Sequence, residues 1–302
     1  MSDLKLFSLS GGQAEEIPGT AVALEKSLQN LIEANLETLL GVRFLASEYG
    51  TGPKHGGRID SLGLDENGCP VILEYKRSTN ENVINQGLYY LDWLPDHKAD
   101  FQILVMKVLG AEAAEGLDWA GPRLLCIAGG FTKYDEHAVQ QINRNIELVR
   151  YRRFGERLLA LELVNAEQAD DGAKAVSATG PAATYTQKTF TEALAKAEPG
   201  LRDLYDELRA FLIALGDDVQ ERTLKFYIAF KRLKNFACVE IQSERLKIHA
   251  KLDPDDVELV DGFTRDVRDL GHFGTGDLEI LVRNRTDLER AKPLLERSYE
   301  AS

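Results

Sequence analysis

Residues Gly57 to Arg77 read GRIDSLGLDENGCPVILEYKR. Two strand-like runs, RIDSLGLD and PVILEYKR, flank the polar turn ENG, the pattern of a β-hairpin. The second run opens as a buried strand, then places Glu74 and Lys76 where apolar residues would continue it. Side chains of a strand alternate faces, so Val71, Leu73 and Tyr75 share one face and Ile72, Glu74 and Lys76 the other. In the first run Arg58, Asp60 and Leu62 share a face opposite Ile59 and Ser61. If the runs pair, Asp60 and Glu74 can fall on one face of one sheet. One account of these charges is an ordinary cross-strand ion pair, worth about 0.2–1 kcal/mol. The other is a site for a hard divalent cation, which needs about two carboxylates, with water and substrate phosphate completing its shell. A neighbouring lysine would orient a water or neutralise charge on a phosphorane. Two carboxylates and a lysine are enough for metal-assisted phosphodiester hydrolysis.

Upstream, Thr20 is a plausible N-cap for AVALEKSLQNLIEANLETLLG, in which Leu24, Leu28, Leu31, Ile32, Leu36, Leu39 and Leu40 recur at helical spacing before a stop at Gly41. VRFLASEYG reads as a strand and TGPKHGG as a glycine-rich loop. Downstream, Asn80 caps a helix, NENVINQGLYYLDWL, expected to end before Pro95. FQILVMKV and RLLCIAGG read as strands, DEHAVQQINRN as a helix, and IELVRYRRF with RLLALELV as a second hairpin around Gly155. This is an α/β pattern, a sheet with helices against it.

Residues 165–187 are rich in Ala, Gly, Ser and Thr and almost free of large apolar residues, so they read as a linker. That predicts a first domain over 1–164 and a small α+β domain over 188–302. In the latter LRDLYDELRAFLIALG reads as a helix, FACVEIQ, RLKIHAKL and GDLEILVRN as strands, and PDDVELVDGFTRDVRDLG and TDLERAKPLLERSYE as helices.

The chain has 302 residues, 44% hydrophobic and 28% charged, enough for two globular domains. Apolar runs are too short for a membrane span, and the N-terminus lacks the basic-then-apolar pattern of a secretory signal. Cys69, Cys126 and Cys238 are isolated, which argues against a zinc site or a disulfide framework and makes a cytoplasmic location the default expectation. The net charge of −13 counts against broad polyanion binding but leaves room for a local basic strip.

Asp60, thirteen intervening residues, then Glu74-Tyr75-Lys76 resembles the D…(D/E)xK signature of the PD-(D/E)XK nuclease superfamily. Ile59 stands where the family's proline usually does. The flanks GGRID…VILEYKR, followed by Gln86 on the next helix, are similar to the NucS-like and RecB-like DNA endonuclease branch. The likeness spans roughly residues 24–105. It implies a restriction-endonuclease-like αβββαβ core, dependence on Mg²⁺ or Mn²⁺, and a nucleic-acid substrate, with DNA favoured over RNA.

By the same resemblance Asp60 and Glu74 bind metal, and Lys76 positions water or stabilises the transition state. Glu25, with Glu33 and Glu37 as competitors, completes the metal shell through water, and Gln86 orients the lysine or a phosphate. Lys54, His55, Arg58 and Arg77 lie beside these residues as phosphate contacts. VRYRRFGER, with Arg150, Arg152 and Arg153 among aromatics, is a candidate nucleic-acid contact or a solvated hairpin edge. LKFYIAFKRLKNF is a second basic stretch, in a C-terminal domain that resembles an uncharacterised companion of such nuclease modules. The leading expectation is a metal-dependent deoxyribonuclease, endonuclease rather than exonuclease, acting in repair or defence. A homodimer would let it cut both strands of a duplex. The alternative is a nuclease fold that binds nucleic acid or protein without cutting.

Overall fold

A computed structural model describes residues 4–21, 25–77, 83–119, 121–167 and 189–302, without the side chains of Lys54, His55 and Glu167. Leu24, Asn80 and nearly all of the expected linker lie outside the described residues. The chain forms two compact units, Met1–Gly172 and Ala173–Ser302. No described helix is long and apolar enough to cross a membrane.

The first unit begins with a hairpin, β1 (Leu6–Ser10) and β2 (Gln13–Ile17), and a short strand, β3 (Gly19–Thr20). Two helices follow, α1 (Glu25–Ala34) and α2 (Leu36–Leu40), divided at Asn35, and Gly41 closes α2 in the left-handed region at φ 62°. Next come β4 (Val42–Gly50), a one-turn helix α3 (Gly52–His55), β5 (Arg58–Asp65) and β6 (Pro70–Lys76). Helices α4 (Val83–Asp96), α5 (Lys98–Leu109) and α6 (Ala111–Glu115) lead to β7 (Arg123–Ala128), and α7 (Lys133–Gln140) to the hairpin β8 (Asn145–Phe154) and β9 (Leu158–Glu167).

One mixed sheet runs β3-β8-β7-β6-β5-β4, with β9 also paired to β8. β4, β5 and β6 are antiparallel, whereas β6, β7 and β8 are parallel. Leu62, Leu64, Ile72, Leu124 and Cys126 pack in one core with Ile84, Leu91 and Leu94 of α4 and Phe101 of α5. The first unit is therefore α/β, a mixed sheet flanked by helices.

Four local expectations do not hold. Thr20 is a strand residue paired with Arg153, not an N-cap. FQILVMKV is α5, not a strand: Phe101 and Val105, four apart, are its buried pair while Ile103, Met106 and Val108 are exposed. A short apolar run is ambiguous between the two periods, and here burial follows the helical one. With that run helical, the strand that follows α4 in chain order is β7. The expected loop TGPKHGG contains α3, and α4 continues through Pro95.

At the end of the sheet marked by the β5–β6 turn, Arg123 is buried between two strands. Its guanidinium donates to Asp65 Oδ2 at 2.9 Å and to Glu147 Oε2 at 3.0 Å. Asp65 Oδ1 also accepts the Asn67 and Cys69 N–H groups, which shapes the turn. This bridge ties β5, β7 and β8 together behind β6.

In the second unit α8 (Phe190–Lys196) and α9 (Pro199–Ile213) precede a six-stranded antiparallel sheet. Its strands are β10 (Gln220–Thr223), β11 (Ile228–Lys231), β12 (Asn235–Ile241), β13 (Leu246–Ala250), β14 (Thr264–Asp266) and β15 (Leu278–Val282), and α10 (Arg285–Glu300) closes the unit. PDDVELVDGFTRDVRDLG is not a helix. It holds one 3₁₀ turn, Pro254–Asp256, and β14. Lys231 is buried and Arg232 is paired with Asp218, so LKFYIAFKRLKNF is no continuous basic surface. Ala237, Val239, Ile248 and Ile280 line one face of the sheet as core. Glu240, Lys247, His249 and Glu279 alternate with them on the other. His249 is fully buried, 3.9 Å from Glu240 and 3.7 Å from Glu279, and among the described residues neither ring nitrogen has a hydrogen-bond partner.

Arg123→Met leaves two carboxylates uncompensated in the interior and should cost about 3–5 kcal/mol, read as a fall in the denaturant midpoint; a loss within error would show that the bridge holds nothing. Burial, with the His272 and Lys247 charges, pushes the His249 imidazole down to about 3. Its stabilising contribution is therefore complete above its unfolded value of about 6.5 and drains as pH falls from there towards 3, at up to about 1.4 kcal/mol per pH unit. His249→Gln should flatten that slope in denaturant titrations between pH 7 and 5 (about one imidazole's worth).

Candidate active site

β5 and β6 pair from Leu64–Pro70 to Ser61–Leu73, where the backbone register ends. One further step sets Asp60 opposite Glu74. Side chains there take over the donors that the ladder leaves behind. The Asp60 N–H donates to Glu74 Oε1 at 3.2 Å, and the Tyr75 N–H donates to Asp60 Oδ2 at 3.0 Å. Each carboxylate is thus anchored by the other's strand. Glu74 is fully buried, and its second oxygen, Oε2, has no hydrogen-bond partner among the described residues.

Burial first, and then the Asp60 charge, pushes the Glu74 carboxyl up to about 9. Burial also lifts the Asp60 carboxyl, against the Tyr75 N–H and the Lys76 ammonium, which favour its ionised form. Two carboxyls facing each other away from water suppress each other's ionisation, and a bound cation inverts that preference.

Lys76 lies two residues beyond Glu74, and its Nζ is 3.3 Å from Glu25 Oε1 at the start of α1. Gln29, one turn on, is buried and donates through Nε2 to the Asp60 carbonyl at 2.7 Å and to Glu33 Oε1 at 3.0 Å. Glu33 also accepts the Ser61 hydroxyl at 2.6 Å. Of the three glutamates on this helical stretch, Glu25 reaches Lys76, Glu33 braces the β5 strand, and Glu37 is exposed on α2. The i, i+4, i+8 spacing of Glu25, Gln29 and Glu33 was the signal for this shared face.

A third group lies at the rim. Glu48 of β4 accepts from Lys26 Nζ at 2.9 Å and sits 3.5 Å from the Arg58 guanidinium. The Lys26 hydrogen bond holds the Glu48 carboxyl below its usual range. The Arg58 N–H donates to the Tyr90 hydroxyl at 3.1 Å, and a Cβ on Gly57 would lie 2.5 Å from the Tyr90 ring, so glycine lets α4 close on the start of β5.

The structure therefore brings Asp60, Glu74, Lys76 and Glu25 together. Gln86 is half-buried on α4, the helix packed against β6. Arg58 and Arg77 are exposed. Lys54 and His55 lie in α3, with side chains outside the described set. The basic hairpin differs from expectation. Arg150 is buried against Glu162 at 3.0 Å, which leaves it no open face for a phosphate. Arg152 is half-buried and donates to the Leu4 carbonyl, and Arg153 pairs with Glu156 at 2.7 Å. The interleaved Tyr151 and Phe154 are core residues, so bases cannot stack on them. Lys26, Gln29 and Glu48 had not been singled out from sequence. Among the described residues no three His, Cys, Asp or Glu side chains converge as a ready-made cation cage.

Residues 190–302 match the family model of a domain of unknown function, DUF5655. A Haemophilus influenzae protein described as uncharacterized is 29% identical over 304 residues, spanning 98% of this chain and 100% of that protein. Two solved structures are similar to part of the chain. One is a complex of EndoMS with double-stranded DNA (21% identity, 43% of this chain and 46% of that one, TM-score 0.25). The other is a repair endonuclease from Pyrococcus abyssi (18% identity, 43% of this chain and 48% of that one, TM-score 0.25). The chain spans about half the length of each.

Proposed function

We propose that this protein is a divalent-metal-dependent nuclease that hydrolyses phosphodiester bonds in DNA, with Asp60, Glu74 and Lys76 at its centre. The observation that carries the reading is Glu74: a fully buried carboxyl, opposite a second one, with one oxygen that has no hydrogen-bond partner among the described residues. A carboxyl placed there holds its proton until a cation makes ionisation favourable. The donor set, carboxylate oxygens without sulfur or imidazole, suits Mg²⁺ or Mn²⁺, with water and substrate phosphate as the remaining ligands. When bound by Asp60 and Glu74, such a cation supplies positive charge beside the scissile phosphate.

The chain's own groups do the rest. The backbone N–H groups of Asp60 and Tyr75 fix the two carboxylates before substrate arrives. Lys76 holds an attacking water or stabilises the oxyanion charge that develops on phosphorus. Glu25 steers the Lys76 ammonium, and Gln29 pins the Asp60 carbonyl from the other layer. By the resemblance, Gln86 is assigned to orienting Lys76 or a substrate phosphate and Arg77 to a phosphate contact.

With Mg²⁺ or Mn²⁺, wild type is expected to cleave at least one of single-stranded, duplex or branched DNA. Asp60→Ala and Lys76→Ala should each lower the rate by about a hundredfold or more. Cleavage that persists in both variants rules this site out; DNA binding without any cleavage favours the non-catalytic reading.

Metal binding has its own readout. At saturating Mn²⁺ the melting temperature should rise, by the equivalent of about 2.7 kcal/mol at a hundred times the dissociation constant. Asp60→Asn should abolish the rise. An equal shift in both proteins would place the metal elsewhere.

A further inference from the structure

Glu48 is the non-glycine residue with a left-handed backbone among the described residues, at φ 52°. A glutamate gains nothing intrinsically from that conformation and is strained in it. The neighbouring pairs Ser47–Ser61 and Tyr49–Ile59 set it across β4 and β5 from Asp60. Its carboxylate gives one oxygen to Lys26, at 2.9 Å, and turns the other towards Arg58, at 3.5 Å. The Arg58, Lys26 and Glu48 side chains are 67%, 52% and 38% exposed, and ion pairs so open to water add little to folding. A strained residue that gathers two exposed cations for little stability is better explained by what the cations do. Their position points the same way: Lys26 also donates to Gln29 Oε1 at 3.0 Å, and Gln29 in turn holds the Asp60 carbonyl. Arg58 is two residues before Asp60 on the same strand.

We propose that Lys26 and Arg58 form a second phosphate-binding subsite, for a backbone phosphate adjoining the scissile one, and that Glu48 is its built-in counter-anion, displaced when DNA binds. The proposal rests on the nuclease reading of Asp60, Glu74 and Lys76. A carboxylate bridging two cations occupies the place of two phosphate oxygens, and Glu48 is exposed enough to swing into water when a phosphodiester takes that place. The exchange conserves charge, since one monoanion replaces another. It makes the subsite weak for stray anions, since any phosphate that enters must first displace the carboxylate. In a protein of net charge −13, such cations need not lie in a broad basic surface.

The test is an affinity cycle in EDTA, where no metal-dependent cleavage intervenes, using a short fluorescein-labelled DNA and fluorescence anisotropy. Glu48→Gln should tighten binding about three- to fivefold, the size of one exposed ion pair. Lys26→Met combined with Arg58→Met should weaken binding and reduce the log–log salt slope by about two. Adding Glu48→Gln to that double variant should then tighten nothing. Glu48→Gly, which suits the left-handed backbone, should match Glu48→Gln and provides the measurement if the glutamine variant folds poorly. Unchanged or weaker binding by the Glu48 variants overturns the subsite. So does a gain that survives without Lys26 and Arg58, because Glu48 would then act only as a general negative charge. If the cycle holds but wild type cuts nothing in Mg²⁺ or Mn²⁺, the nuclease reading falls and the subsite stands. If wild type cuts and the cycle is flat, the subsite falls alone.

Discussion

The site depends on a pairing that stops. The backbone ladder between β5 and β6 ends at Ser61–Leu73, and the next two donors, on Asp60 and Tyr75, are taken by carboxylates instead. Had the ladder continued, Asp60 and Glu74 would be two like charges on a closed sheet surface, an arrangement that is destabilising directly across strands. Parting the strands there turns the same two residues into acceptors that finish the sheet. It leaves Glu74 Oε2 buried and without a hydrogen-bond partner among the described residues, and the proposed function turns on that oxygen.

A divergence of strands is useful only if the strands are fixed elsewhere. Arg123 does this at the other end of the sheet, where it holds Asp65 and Glu147 while Asp65 shapes the β5–β6 turn. The carboxylates at one end and the ion bridge at the other thus sit on the same strands. Rigid strands place a site more precisely than loops do. From the α1 side, Gln29 and Glu33 hold Asp60 and Ser61 in a second layer of hydrogen bonds. Three elements therefore constrain Asp60: its own strand, the neighbouring strand and the helix.

Much of this was legible because period-two alternation is a strong rule. It put Glu74 and Lys76 on one face and allowed Asp60 to join them, and Gly41 marked the end of its helix. What failed has physical reasons. FQILVMKV has no polar residue in its apolar core to break the tie between strand and helix, and only packing decided it. PDDVELVDGFTRDVRDLG has helical spacing on paper, but Thr264, Arg265 and Asp266 pair with β15 instead. The arginines of VRYRRFGER look basic in sequence, yet Arg150 and Arg153 have carboxylate partners, one across the hairpin and one in its turn. Glu48 could not have been found this way, since neither residue type nor spacing announces a left-handed backbone.

The net charge of −13 bears on where such contacts can lie. A chain at −13 should repel a polyanion over most of its surface, so any contact with DNA must be local. The structure keeps its cations local by pairing them: Arg150 with Glu162, Arg153 with Glu156, Arg58 and Lys26 with Glu48, Lys76 with Glu25. The first of these is buried and fixed. The Glu48 pairs lie beside Asp60 and are open to water, whereas in the Glu25 pair Lys76 is largely enclosed. Electrostatics of this kind gives selectivity rather than bulk affinity. On the reading proposed above, Lys26 and Arg58 open to a phosphate only where it displaces Glu48, beside the two carboxylates at the end of the β5–β6 ladder.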